Sequence, residues 1–222
     1  MLRTNRTIAG LIAIIALALL AVPAGATVTI PDTSADWQAL TTGFFTTLVD
    51  FEGLATTSVN PTYNTADGLT LGGIKFVGDN LDGSYYLQAY DSAQGGSYNW
   101  GSGDYIVGAG WGPKYIQVTL PAGITAVAAD VMTSLSGHPV TVSLSTGESY
   151  TVGTFANPTR TFTGLVSDTP IEWVRFSAEN SRPAIDNFTT AFVSTPEPDA
   201  LFLAGAGLIG LWVARRLRRR YC

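Results

Sequence analysis

Hydrophobic positions along this chain follow three different patterns. Residues 8–22 are an unbroken apolar run, residues 27–193 mix apolar and polar positions in short bursts, and residues 200–214 are apolar again before a cluster of arginines. In the middle part the period is two. Within 115–120, Ile116, Val118 and Leu120 fall on one face and Gln117 and Thr119 on the other, as in a half-buried strand. Residues 140–144 and 149–152 alternate in the same way around Ser145-Thr146-Gly147-Glu148, which predicts a hairpin. Reading on this basis predicts strands at 46–51, 69–77, 84–90, 105–107, 115–120, 125–132, 140–144, 149–155, 161–166, 171–177 and 184–193, punctuated by Gly, Pro, Asn and Asp. One short helix is expected at 35–40, capped by Ser34, with Trp37 and Leu40 on a shared face. Many short strands with one apolar face must bury that face against a second sheet. The expected fold is therefore all-β, a two-sheet antiparallel sandwich of jelly-roll type, with a signal helix before it and a transmembrane helix after it.

The two apolar runs set the boundaries. Arg3 and Arg6, the run 8–22 and Ala24-Gly25-Ala26 have the order of a secretory signal peptide, so residues 1–26 are expected to be removed by signal peptidase after crossing the export machinery. Residues 27–193 form the sandwich domain. Residues 194–222 hold Pro196-Glu197-Pro198, the apolar run 200–214 and then Arg215, Arg216, Arg218, Arg219 and Arg220. The run is shorter than the roughly 20 residues of a helical bilayer span. Trp212 at the interface and snorkelling arginines make up the difference. Five arginines on one side hold that end in the cytoplasm and leave everything before Pro196 outside.

This order of parts resembles the PEP-CTERM protein-sorting signal of Gram-negative bacteria. The resemblance covers 194–222 and implies recognition by an exosortase, a membrane-embedded cysteine transpeptidase that cuts near Pro196-Glu197-Pro198. It also implies a protein of the cell surface or the medium, anchored in the inner membrane only until it is processed.

Charge narrows the choice of partner. The chain carries 12 Lys and Arg against 17 Asp and Glu. Setting aside both ends leaves five cations and fifteen acids, so the body is near −10, unsuited to nucleic acid or an anionic membrane face. Cys222 is the only cysteine, so the exported part forms no internal disulfide and its core rests on packing, with or without a metal.

Two constellations could carry chemistry. Asp50-Phe51-Glu52-Gly53 and Ile185-Asp186-Asn187-Phe188 each place acids among apolar strand residues, and a buried carboxylate needs a cation or hydrogen-bond donors. Calcium, taking about six to eight oxygens, would use Glu52 and Asp186; otherwise these acids pair with Arg182 or Arg175 or cap backbone groups. The same two stretches resemble the opening and closing strands of carbohydrate-binding-module-type jelly rolls, which implies a structural calcium at the sheet edge. The second constellation is the aromatic stretch 85–115. Tyr98, Trp100, Trp111 and Asp104 stand there among glycines, a composition suited to stacking on sugar rings and bonding their hydroxyls, although aromatics equally fill cores. The segment 78–84 looks like a calcium loop but lacks its alternate oxygen spacing and closing Glu; a solvated turn is expected.

For catalysis the sequence offers little. His138 is the single histidine and stands before Pro139, and no nucleophile elbow, zinc-protease helix or phosphate loop is present. The expectation is a non-enzymatic, glycan-associated or structural component, and the PEP-CTERM resemblance implies that its setting is exopolysaccharide and biofilm. The competing class is a secreted polysaccharide hydrolase, for which any two acids meeting in space would suffice.

Overall fold

Period-two alternation becomes two antiparallel sheets in the computed structural model of the chain, which describes residues 26–64, 66–80, 86–94, 103–108, 114–133, 138–153 and 160–193. The signal segment up to residue 25 and everything from residue 194, with the expected membrane helix, lie outside the described residues. In chain order the elements are β1 (Val28–Thr29), α1 (Ser34–Leu40), β2 (Phe45–Val49), β3 (Thr62–Asn64), β4 (Leu69–Leu71), β5 (Ile74–Asn80), β6 (Tyr86–Asp91) and β7 (Asp104–Gly108). There follow β8 (Lys114–Thr119), β9 (Ala126–Thr133), β10 (Val140–Leu144), β11 (Ser149–Val152), β12 (Thr161–Ser167), β13 (Trp173–Ala178) and β14 (Pro183–Phe192). No helix among the described residues is long and apolar enough to cross a membrane.

The larger sheet runs β1-β12-β9-β14-β7-β6-β3, and the smaller runs β11-β10-β13-β8-β5-β4. Strand β14 organises the larger sheet. It pairs with β9 along one side, while the other side is shared by β2, against Phe188 to Phe192, and by β7, against Ala184 and Ile185. The strand β2 and the closing strand β14 thus lie side by side. Register along β14 jumps from Asp186↔Asp130 to Thr189↔Ala128, and Asn187 sits at φ 50° inside the irregularity. Such a bulge bends the strand and re-aims its side chains.

Between the sheets the alternation delivers one continuous core. Phe51, Phe76, Phe176 and Phe188 meet there edge to face: Phe76 lies 5.2 Å from Phe51 and 5.4 Å from Phe188, and Phe176 lies 6.4 Å from Phe188, all near perpendicular. That geometry sets the positive ring edge on the negative ring face and adds to the burial term.

Local expectations are corrected in three places. The strand expected at 69–77 is the hairpin β4–β5, because Gly72 and Gly73 both take positive φ (56° and 79°), the conformation of a tight mirror-image turn. Thr33, not Ser34, caps α1: it is extended, and its Oγ1 accepts the Asp36 N–H at 3.1 Å. Trp37 is 4% exposed but Leu40 is 44% exposed, so they share no buried face. The two short strands β1 and β3 went unforeseen because two or three residues carry no measurable period.

Candidate functional site

The acids singled out in the sequence are placed as follows. Asp186 is buried on β14, where its Oδ1 accepts the N–H of Asn187 at 2.7 Å. Its cross-strand neighbour Asp130 takes the Asn187 side-chain amide at 2.9 Å and has the Arg160 Nε at 3.6 Å. Glu52 is exposed in the turn after β2, and its carboxylate packs over Gly103, where any Cβ would collide with it. Among the described residues no three His, Cys, Asp or Glu side chains converge on a metal-sized site. Arg175, one of the alternative partners for these acids, is engaged elsewhere.

Asp104 is 5% exposed, and its Oδ2 accepts the Ala55 N–H at 2.8 Å, which ties the turn after β2 to β7. Tyr98, Trp100 and Trp111, residues 81–84 of the segment 78–84 expected as a solvated turn, Pro196-Glu197-Pro198 and the arginines from Arg215 to Arg220 lie outside the described residues; residues 78–80 of that segment are not a turn but the end of β5, paired with β8. From the aromatic stretch, Tyr90 and Tyr105 are described, stacked at 5.8 Å. Tyr105 is buried with Val107, Met132 and Ala184. Its hydroxyl pKa is pushed up to about 12, first by burial and then by Tyr90 and Asp91. His138 spends Nδ1 on the Glu179 carbonyl at 3.0 Å.

A better-formed surface emerges on the smaller sheet. Its inward positions (Phe76, Ile116, Val118, Val142, Val174 and Phe176) are in the core, so the alternate positions face away from the partner sheet. Register aligns them in rows across the strands. One row is Ser143, Arg175, Gln117 and Val77; a second is Thr141, Ser177, Tyr115 and Asp79; a third is Trp173, Thr119, Lys75 and Thr70. At the centre the Arg175 guanidinium lies 4.1 Å from the Tyr115 ring centroid and 5.3 Å from that of Trp173. Its Nε (3.2 Å) and Nη2 (2.6 Å) both donate to Gln117 Oε1. The aromatic planes attract the cation, and the amide fixes its orientation. All four side chains are partly exposed.

This cluster was missed in the sequence, although its signal is there. Trp173 and Arg175 occupy the polar phase of 171–177, as Tyr115 and Gln117 do in 115–120. Only the pairing of β13 with β8 brings the two phases together.

The larger sheet carries a separate groove of about 580 Å³ between its outer surface and α1, with Trp37, Phe162, Leu48, Asp130 and Asn187 in its lining. The Trp37 Nε1 donates to the Leu165 carbonyl at 3.2 Å, so its indole is a fixed wall.

Three comparisons bear on these features. Residues 194–220 match the PEP-CTERM protein-sorting motif. No curated protein sequence matches the chain. Among solved structures, a family 29 carbohydrate-binding module is 14% identical, covering 67% of this chain and 92% of its own, with a TM-score of 0.36. A family 35 carbohydrate-binding module from Clostridium thermocellum is 13% identical over 61% of this chain and 99% of its own, TM-score 0.33. A family two carbohydrate esterase from Cellvibrio japonicus is 12% identical over 61% of this chain and 34% of its own, TM-score 0.31. At such scores nothing about ligand or reaction follows. The chain is an exported protein that carries a PEP-CTERM protein-sorting motif at residues 194–220, behind a body folded as a two-sheet β-sandwich.

Proposed function

We propose that this protein works at the cell surface or in the extracellular matrix of a Gram-negative bacterium as a non-enzymatic, glycan-associated jelly-roll sandwich. It is held in the inner membrane by its C-terminal helix until an exosortase cuts it near Pro196-Glu197-Pro198. The observation that carries the glycan reading is the outer face of the smaller sheet. There Trp173 and Tyr115 flank Arg175 and Gln117 within rows of Ser and Thr. Aromatic planes suit the C–H faces of sugar rings, and hydroxyl, amide and guanidinium groups suit their oxygens. The arrangement rests on strands, and rigid elements hold a binding constellation better than loops.

The test is incubation of the protein with exopolysaccharide extracted from the producing cells. Retention without new reducing ends is expected, with loss of retention in Trp173→Ala. Release of reducing ends would favour the secreted hydrolase. Neither retention nor release would leave a purely structural role in the matrix.

A structural calcium at Glu52 and Asp186 belongs to the same proposal. Its support is that Asp186 is buried on β14 and that Glu52 lies in the turn after β2, the strand that pairs with β14.

A further inference from the structure

Among the side chains the structure describes, the charge on Arg175 has no counter-ion within salt-bridge distance. Its hydrogen-bond acceptor is the neutral amide of Gln117, and it stacks on uncharged rings. An ion pair that is formed, Arg160 with Asp130, lies on the other sheet. Gln117 Oε1 takes the Nε–H and one Nη2–H, which is one edge of the fork. The opposite edge, formed by Nη1 and the second Nη2 hydrogen, has no acceptor among the described residues. That edge has the geometry to take a carboxylate with two parallel bonds.

The surroundings match. The body carries about three acids for each cation. On this face, however, the rows contain Arg175 and Lys75 against a single acidic position, Asp79, which stands opposite Tyr115. A cationic spot kept on an otherwise acidic body selects for an anionic partner and repels little locally.

From this we infer that the Arg175 face binds an acidic polysaccharide, one that carries carboxylates on its sugar rings, with Trp173 and Tyr115 against the ring and the free edge of Arg175 on the carboxylate. The inference rests on the glycan reading above and adds the chemical class. A uronic acid presents a C–H face of its ring and a carboxylate a few ångströms apart, which the spacing of aromatic ring and guanidinium on this face suits.

The experiment uses the full chain in a neutral detergent, with polygalacturonate as probe. Carboxyl-reduced polygalacturonate, neutral dextran and polyglutamate serve as comparisons. Tight retention on polygalacturonate is expected, weakened by added salt and about tenfold to a hundredfold weaker on the carboxyl-reduced polymer, as for loss of a charge-assisted hydrogen bond. Arg175→Gln should lose a similar factor. Gln117→Glu, nearly isosteric, should do the same by giving the guanidinium an internal counter-ion. Unchanged thermal melts show that both variants are folded. Equal retention of the native and reduced polymers, or an Arg175→Gln variant that binds as well as the parent, overturns the inference and leaves glycan binding standing. Equal retention on polyglutamate shows that charge alone is read and also overturns it. Retention on none of the polysaccharides overturns both this inference and the glycan reading.

Discussion

Gly164 shows how one missing Cβ can place a helix. It lies in β12 under α1, and an added Cβ would stand 2.7 Å from Trp37 Cδ1 and 2.9 Å from Phe162 Cζ. The indole cannot retreat without losing its bond to the Leu165 carbonyl. Gly164→Ala should therefore cost about 1–3 kcal/mol through overpacking, read as a lower denaturant midpoint; an unchanged midpoint would mean that α1 floats on the sheet. Tyr150 makes a second prediction. Burial pushes its hydroxyl pKa up to about 12, partly opposed by its bond to Thr163. The folded value exceeds the unfolded one, so this contribution is intact below about pH 10 and is lost as pH rises through about 12. Tyr105 behaves alike. Stability should fall between these pH values, and Tyr150→Phe should make the fall shallower without abolishing it.

Strand packing depends most on the phenylalanine cluster, because Phe76 from the smaller sheet touches both Phe51 and Phe188 of the other side. Phe76→Ala is expected to cost about 3–5 kcal/mol, against about 1 kcal/mol for Thr33→Ala at the α1 cap. Equilibrium unfolding of the two variants checks the ranking, and a cap variant as damaging as the core variant would refute it. The bulge in β14 is the other critical feature. Asn187 bonds Asp130 from a backbone in the left-handed region, where asparagine is better tolerated than most residues.

Export and processing concern the protein as a unit. In cells that hold the processing enzyme, the mature protein should lack its arginine tail by mass spectrometry, and a retained tail would reduce 194–222 to an ordinary anchor. If calcium bridges Glu52 and Asp186, chelation should lower the melting temperature and added calcium restore it, since a ligand bound only to the folded state stabilises it. A melting curve indifferent to both treatments would remove the metal.

Much of this was readable from residue order. Period-two alternation is a local property, so Ile116, Val118, Val140 and Val142 declared their inward faces before any pairing was known, and the glycine-bearing turn at 145–148 declared its hairpin. The apolar runs and the arginine cluster likewise need no tertiary contact to be recognised. Pairing is another matter, because it joins residues far apart in the chain. Tyr115 and Arg175 are 60 positions apart in sequence and meet because β8 and β13 are neighbours in the sheet. Asp104 looked like a sugar contact among glycines and aromatics, yet burial gave it the Ala55 backbone to hold. Which faces turn inward follows from alternation along one strand, whereas which side chains become neighbours follows from the order of strands, a choice made by the packing of the assembled sheets.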